Sequence, residues 1–214
     1  MATLSSLNHL ILPHAAGAPL PAVYTAIRAS AAEFLRRTRL WPQRITMAVT
    51  PAVIHIPVPL NGGIMFEIAR GEDGYGRVWF DGARLRPVEC ATLTPQELDV
   101  SSVGQPRLYS QPAEQTVSLV PRGTGELMLD VYCTLPVTGP AMDGYLPDTL
   151  AAEHAQSVAS GALARLMVIP KRDWTNPQLA GVHMAIFNAD CDRLFARYVQ
   201  GQQRAPLRTK PSFM

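Results

Sequence analysis

The residues best suited to metal binding or redox chemistry are spread along the chain rather than grouped. Cys90, Cys133 and Cys191 are odd in number and widely spaced, which argues against a disulfide framework and against a CxxC metal site. His183 has no second ligand three or four residues further along, and His55 lies in an apolar run typical of a strand. The sequence therefore predicts no metal site and no cofactor.

The residues that could act as acids, bases or nucleophiles form no catalytic motif. The chain lacks GxSxG, GxxxxGK[ST], GxGxxG and HExxH. The glycine-rich run Gly71–Gly76 lies among predicted strands, whereas a phosphate cradle needs a helix N-terminus behind it. Glu153 and His154 are neighbours on a predicted helix, so they point in different directions. Four acids lie beside turns, where acids serve local hydrogen bonding: Glu67, Glu72, Asp73 and Asp81. We expect no catalytic residues and no enzymatic activity.

Three segments have the apolar spacing of amphipathic helices. The first is Pro21–Arg37, with a proline in its first turn. The second is the alanine-rich segment Thr149–Met167, and the third is Gln178–Gln200. The apolar stripe of the third helix is predicted to comprise Ala180, Met184, Phe187, Cys191, Leu194, Phe195 and Tyr198. The segment Leu12–Leu20, which holds two prolines and a glycine, is predicted to be an extended arm.

Between the first and second helices, short apolar segments alternate with turn residues, a pattern typical of strands. Asp81-Gly82, between Arg77–Phe80 and Ala83–Val88, predicts a hairpin with a type I′ turn. The other predicted strands are Ile45–Val49, Val53–Val58, Ile64–Ala69, Arg107–Ser110, Thr116–Val120 and Glu126–Leu135. Short strands at this spacing favour a β-sandwich or a small barrel.

The order of these elements predicts an α+β fold. Both chain ends are expected to form a helical bundle, into which an antiparallel β-sandwich or barrel-like domain is inserted, with an extended C-terminal tail. The predicted domains are residues 1–42 with 139–200 for the helical part, 43–138 for the β part and 201–214 for the tail.

Composition excludes several classes of protein. The chain has 214 residues, of which 47% are hydrophobic, enough for a core. A formal net charge of +2 gives no broad basic field for nucleic acid. The first residues carry neither a basic region nor a long apolar core, so no signal peptide is expected. No run approaches the roughly 20 apolar residues of a membrane span.

The segment after Gly201 has basic residues, two prolines and no acidic residue. Ordering a backbone costs about 1–2 kcal/mol per residue, and burying Leu207 and Phe213 would return only about 1.5–3 kcal/mol each. The tail therefore cannot order itself. It is either a frayed end or an arm that docks on a partner.

Short patterns along most of the chain resemble one family of virion proteins. The C-terminal patterns are Leu146-Pro147-Asp148-Thr149-Leu150, Ala159-Ser160-Gly161-Ala162-Leu163-Ala164-Arg165-Leu166, Ile169-Pro170, Trp174, Asn176-Pro177, Ala180, Phe187–Phe195 and Arg204–Phe213. The N-terminal patterns are Val23, Ala26-Ile27, Ala31-Ala32-Glu33-Phe34 and Trp41. Together they resemble the podovirus head-to-tail adaptor family, also called tail tubular protein A. The resemblance is weakest across residues 51–138.

The resemblance implies a structural role in the neck of a tailed phage. It implies a homo-oligomeric, dodecameric ring that joins the portal protein to the tail nozzle or hub. Genomic DNA would pass through the lumen without sequence-specific binding. The chain would be made in the host cytoplasm and reside in the virion.

We hypothesise that the C-terminal tail inserts into clefts of the portal. Its candidate docking residues are Arg204, Arg208 and Lys210 as charge contacts, and Leu207 and Phe213 as apolar anchors. The candidates for contacts between subunits are Trp41, Trp174 and Tyr198. Trp174 could instead lock the turn between the last two helices.

Three alternatives remain open from the residues. The chain could be another virion neck part, such as a head-completion or tail-nozzle protein. It could be a cell-wall hydrolase or esterase, for which His55, Glu67 and Asp73 are the only candidates. It could also be a carbohydrate- or peptide-binding module that uses Tyr75, Trp79, Phe80, Tyr109 and Tyr132.

Removing the tail tests the docking hypothesis. A chain truncated after Gln200 is expected to keep its thermal unfolding transition, because the tail cannot contribute an ordered core. It is expected to lose binding to the cognate portal protein, measured by co-sedimentation. A truncated chain that binds the portal as well as the full chain does would contradict the hypothesis.

Overall fold

The computed structural model describes residues 2–60, 62–71, 75–89, 103–137 and 144–200. The chain divides into two compact units. Unit 1 combines Met1–Leu40 with Leu135–Met214, and unit 2 is Trp41–Thr134. The sequence placed the corresponding boundaries at residues 42/43 and 138/139.

Unit 1 holds all the helices that the structure describes, and unit 2 holds most of the strands. In chain order the elements are β1 (Ala2–Thr3), a 3-10 helix (Leu4–Leu7), α1 (Asn8–Ile11), α2 (Leu20–Thr38), β2 (Pro42–Val49), β3 (Ile56–Pro57), β4 (Ile64–Ile68), β5 (Val78–Phe80), β6 (Ala83–Arg84), β7 (Arg86–Pro87), β8 (Leu108–Ser110), β9 (Thr116–Val120), β10 (Gly125–Thr134), β11 (Tyr145–Leu146), α3 (Asp148–Glu153), α4 (Ala155–Met167) and α5 (Pro177–Gln200).

The centre of unit 1 is α4. It packs against α2 and α5, with α1 and α3 also in contact. Because α4 has neighbours on every side, it is buried all round, as its alanine-rich sequence allows. Its buried residues are Ser157, Val158, Ala159, Ser160, Gly161, Ala162, Leu163, Ala164, Leu166 and Met167.

Local chemistry fixes the ends of the two long helices. Helix α2 begins with Pro21 in its first turn, where a missing N–H costs nothing. It ends at Arg39, which has a left-handed φ of 56° and donates its N–H to the Leu35 carbonyl over 2.9 Å. Helix α5 begins beside Asn176, whose side-chain oxygen accepts the Leu179 N–H at 3.1 Å, as an N-cap does.

The three long helices approach closely at Gly161. The Ser30 hydroxyl on α2 donates to the Val158 carbonyl on α4 at 2.8 Å. A Cβ at position 161 would collide with that hydroxyl and would lie 2.7 Å from the Phe187 ring on α5. Ser30 and Phe187 are both fully buried. A larger residue at this position would force the Ser30 hydroxyl and the Phe187 ring to move.

Unit 2 contains two sheets that share one core. In the first sheet, β10 pairs with β2 along one side and with β5 and β4 along the other, and β5 pairs with β6. The second sheet has the order β3–β9–β8–β7. The shared core takes residues from both sheets, among them Met65, Val78, Val117, Leu127 and Leu129, which are completely buried.

The predicted hairpin at Asp81-Gly82 is confirmed. Strands β5 and β6 pair antiparallel, with Phe80 opposite Ala83. Asp81 and Gly82 have φ values of 46° and 79°, and positive φ at both central positions is what a type I′ turn requires. The Asp81 carboxylate also accepts the Glu126 N–H at 2.8 Å, which ties the turn to β10.

The predicted fold class, a helical bundle of both chain ends with an inserted antiparallel sandwich or barrel, is wrong. The described part of the chain is a mixed α/β structure of about 39% helix and 28% strand, with three sheets. The N-terminal strand β1 lies antiparallel to β11, Tyr145–Leu146, and the two form a separate two-stranded sheet. In unit 2, β7 runs parallel to β8. These strands of two or three residues are too short to leave a periodic pattern in the sequence. The extended tail lies outside the described residues.

Three local predictions are also wrong. The segment Thr149–Met167 is two helices, because His154 leaves the helical conformation with φ −124° and ψ 16°. The segment Leu12–Leu20 is a series of turns with Ala15 and Ala18 buried, not an extended arm. Only Ile56–Pro57 of the predicted strand Val53–Val58 is a strand.

A matched pair of glycine substitutions tests the close approach at Gly161. Gly161→Ala is expected to destabilise the chain by about 1–3 kcal/mol, because the added methyl overpacks a buried contact. Gly181→Ala, on the open side of α5 with nothing within 4 Å of the new Cβ, is expected to stabilise it by about 0.5–1 kcal/mol. Urea unfolding measures both. Equal effects of the two substitutions would contradict the packing.

Candidate functional site

The open side of α5 is the largest feature that sequence reasoning missed. Leu179, Val182 and Ile186 are 36%, 55% and 45% exposed. They stand three and four residues apart, so they form one stripe on the helix surface, which we call the α5 stripe. Helix α5 carries no Asp, Glu, Lys or Arg from Pro177 to Ala189. An exposed helix normally has charged residues on its outer face, so this surface is unusual.

The predicted stripe of α5 is the side that faces its own unit. Ala180, Phe187, Cys191 and Leu194 are buried there. Phe195 and Tyr198, assigned to the same stripe, are 36% and 38% exposed. The apolar residues of α5 thus occupy two sides of the helix, one covered and one open.

Charged side chains surround Phe187 at the contact of α2, α4 and α5. The guanidinium groups of Arg37 and Arg165 lie 5.9 Å and 5.7 Å from the Phe187 ring centre. Glu33 pairs with Arg165, and it lies 3.7 Å from Arg37. Arg37 also donates to Asp192 at 2.9 Å. These partly exposed pairs stabilise modestly, and the pair of Arg37 with Asp192 joins α2 to α5.

A second apolar surface lies between α2 and α4. It is a groove of about 400 Å³. We call it the α2–α4 groove, and its lining residues are Pro21, Ala22, Thr25, Ala26, Ala29, Arg165, Leu166 and Ile169. Small side chains on α2 make the groove, since three of its residues there are alanines.

The groove and the start of the α5 stripe meet at one end of unit 1. The Asn176 N–H donates to the Met167 carbonyl at 3.0 Å, and the Thr175 hydroxyl donates to the Ile169 carbonyl at 2.5 Å. Val168 and Leu20, at the same end, are 62% and 45% exposed. This end of the unit therefore presents apolar side chains from three helices.

The predicted interface residues Trp41, Trp174 and Tyr198 are divided between the two units. Trp41 belongs to unit 2, where it is half-buried against the core and packs closely on Gly63. Trp174 lies half-buried in the turn before α5, with Arg172 over its ring at 6.0 Å. Its indole Nε1 is buried and makes no hydrogen bond to the part of the chain that the structure describes. The docking candidates Arg204, Leu207, Arg208, Lys210 and Phe213 lie outside the described residues.

The residues considered for catalysis are also dispersed. The Nδ1 atom of His55 lies 2.9 Å from the Ser118 hydroxyl, which resembles part of a nucleophile–base pair. Ser118 is only 3% exposed, so a substrate could not reach its hydroxyl. Within the described residues, no carboxylate contacts His55 to orient it. Asp73 lies outside them.

Glu67 lies in a different part of unit 2. It lines a cavity of about 360 Å³ together with Arg70, Tyr109 and Gln111. Burial raises the pKa of the Tyr109 phenol. Tyr109 and Phe80 are buried in the core, as is most of Tyr132, so these aromatic residues do not form a binding platform.

Two buried thiols take part in packing rather than chemistry. Burial raises the pKa of Cys133 to about 12 and that of Cys191 to about 11.

Within the described residues, no group of three or more His, Cys, Asp or Glu side chains could hold a metal ion. No helix there is long and apolar enough to span a membrane.

Comparison with known proteins adds no relative: no protein-family model matches the chain, and no curated protein matches it significantly.

Alkylation tests the burial of the two thiols. At pH 8.5 both should stay protonated in the folded chain and react with iodoacetamide far more slowly than in urea, because the thiolate is the reactive form. Their folded pKa values exceed the unfolded value of 9.0, so stability should fall as pH rises from about 9 towards 12. Mass spectrometry of tryptic peptides identifies the labelled cysteine. Rapid labelling of native Cys133 or Cys191 would contradict this.

Proposed function

We propose that this chain is a structural head-to-tail adaptor of a tailed bacteriophage. Copies of it would form a ring, with dodecameric symmetry expected, between the portal and the tail nozzle or hub. The ring would surround the channel for genomic DNA without reading its sequence. In this role the chain is a non-enzymatic part of the virion neck.

The observation that carries the proposal is the open apolar side of unit 1. Monomeric proteins rarely expose a continuous apolar surface of this kind, and larger ones mark interaction sites. The charge-free half of α5 has the composition of an interface core, which is depleted of charged residues. A ring subunit needs such a surface on each copy.

The second support is the division of the chain into two units with separate cores. Unit 1 carries the open apolar surface and the start of the basic tail, which suits contacts with neighbouring copies and the portal. Unit 2 has its own core and is available for contacts towards the tail. The basic tail, with Arg204, Arg208 and Lys210, would then meet an acidic cleft on the portal.

The structure gives less support to a hydrolase or a ligand-binding module than to an adaptor. A hydrolase needs an accessible nucleophile with an oriented base, and the His55–Ser118 pair has a buried hydroxyl. A ligand-binding module needs exposed aromatic residues on one face, but Phe80 and Tyr109 belong to the core of unit 2. Another neck or nozzle protein shares the structural class, and the experiment below distinguishes it.

A nonsense mutation of the gene in the phage that encodes it tests the proposal. Cells infected with the mutant should yield heads that have packaged DNA and carry no tail, as seen by electron microscopy. Purified chain added to these heads, followed by tails, should restore infectivity.

Other outcomes would assign the chain elsewhere. Complete but poorly infective particles would favour a cell-wall hydrolase. Heads with a partial tail would favour a nozzle protein. Either result would contradict the adaptor role.

A further inference from the structure

Strand β2 is an edge strand of unit 2, and among the strands that the structure describes it pairs with β10 alone. The Cys133 N–H donates to the Trp41 carbonyl at 2.9 Å, which fixes the direction of the backbone groups that follow. Because these groups alternate in direction along a strand, those of Arg44, Thr46 and Ala48 point away from β10. Within the described residues, these three N–H groups and carbonyls make no backbone hydrogen bond on that side, which we call the β2 edge.

An apolar cavity of about 370 Å³ adjoins the second half of the β2 edge. It lies between β2, the connection at residues 50–55 and β3, which is an edge strand of the second sheet. We call this cavity the edge slot, and its lining residues are Met47, Ala48, Val49, Thr50, Val53, Ile56, Pro57, Val58 and Pro59. None of these side chains is charged, so an apolar side chain can enter the slot without leaving a charge unpaired.

Contacts with the second sheet hold the walls of the edge slot in place. The Nδ1 atom of His55 lies 2.9 Å from the Ser118 hydroxyl on β9. The buried Arg122, just after β9, donates to the Pro51 carbonyl at 3.3 Å. Both ends of the connection are therefore tied down, and a ligand need not order them on binding.

The second half of the β2 edge also lacks the features that normally keep an edge strand from pairing. Prolines and charged side chains have that effect. Pro42 and Arg44 provide them in the first half of the strand, but residues 46–49 contain neither. The unprotected half of the edge is the half that adjoins the edge slot.

We propose that the β2 edge binds an extended segment of a partner protein as an added strand, whose alternate apolar side chains fill the edge slot. This inference goes beyond the proposed function, since it requires unit 2 alone. An adaptor would use such a site to hold an extended segment of a neighbouring neck protein.

The backbone chemistry of the edge specifies the class of partner. Free N–H and carbonyl groups that recur at every second residue, about 6.8 Å apart, match the groups of another extended chain. Side chains of an added strand alternate between the two faces of the sheet, so one set enters the slot and the other faces solvent beside Arg44 and Thr46. Nucleic acid would need cations, and the slot has none.

Other sources of a strand fit the site less well. The inward residues Ile45 and Val49 of a second copy's β2 would be buried in that copy's own core, which would leave the edge slot unfilled. The basic tail of this chain has prolines at positions 206 and 211, and each removes an N–H that a ladder would use. A separate segment with an unbroken run of N–H groups satisfies both the edge and the slot.

Peptide binding to the full chain tests the proposal. The probe is the synthetic peptide Lys-Val-Thr-Val-Thr-Val-Thr-Lys, and the control is the same peptide with serine in place of valine. At saturating probe, the Thr46 and Ala48 amides should exchange with solvent at least tenfold more slowly, measured by NMR hydrogen exchange. The serine peptide should bind at least tenfold more weakly, because it cannot fill the slot with apolar side chains.

A matched pair of substitutions tests the slot. Val53 and Ile54 are neighbours and are 43% and 38% exposed, but only Val53 lines the edge slot. Val53→Asp should raise the Kd of the valine peptide by about tenfold or more, because a carboxylate would be desolvated beside apolar side chains. Ile54→Asp should change it less than twofold. Isothermal titration calorimetry measures both, and thermal unfolding confirms that both variants fold.

Several outcomes would overturn the proposal. They are no binding of the valine peptide at millimolar concentration, binding that leaves the Thr46 and Ala48 amides unprotected, and equal effects of the two substitutions. Slow exchange of these amides before peptide is added would show that the edge is already paired. Such protection would indicate a second copy if dilution removes it, and a segment of the same chain if dilution does not. These measurements use no portal protein, so their failure leaves the adaptor role untouched.

Discussion

The architecture of unit 1 depends on the absence of a side chain at Gly161. At that point α4 approaches α2 closely enough for the Ser30 hydroxyl to reach the Val158 carbonyl, and Phe187 of α5 fills the remaining space. The hydroxyl is satisfied although it is fully buried, which removes the cost of an unpaired polar group. Since the three helices are fixed there, α4 can be covered on all sides by its neighbours.

That packing also determines which side of α5 remains open. Phe187, Cys191 and Leu194 face the unit, and the Arg37 guanidinium on α2 donates to Asn188 and Asp192 on α5. The stripe with Val182 is thereby held outward. An apolar surface on a rigid helix is better suited to assembly than the same residues on a loop, because less entropy is lost on binding.

Unit 2 depends on a single long strand. Strand β10 pairs with three other strands, and its pairing with β4 is irregular between Tyr132, which lies opposite Glu67, and Cys133, which lies opposite Met65. Its alternate residues Leu127, Leu129 and Val131 are fully buried and join the core that both sheets share. The unit therefore has a core of its own.

The sequence predicted the long helices, which show many repeats of apolar spacing, and the hairpin, which has specific turn residues. Helices α2 and α5 follow from their spacing, and the β5–β6 hairpin follows from Asp81-Gly82, because two positive φ angles suit few other pairs. The pairing of β1 with β11 could not be predicted from the sequence. Strands of two residues show no alternation of apolar and polar residues, and these two strands are distant from each other in the chain.

The candidate site was harder to predict for a physical reason. Apolar residues occupy both sides of α5, and the sequence alone does not tell which side other helices cover. Only the contacts of Phe187 and Ala180 show that the stripe with Val182 and Ile186 is the open one. The absence of charge from residues 177 to 189 was the signal that could have indicated it.

Native mass spectrometry of the purified chain, alone and mixed with its cognate portal protein, tests the central claim most directly. The adaptor role predicts a complex in which a closed ring of copies is bound to the portal, with a mass equal to a whole number of chains added to the portal assembly. Separate masses for the chain and the portal, with no complex at any ratio of the two, would contradict it.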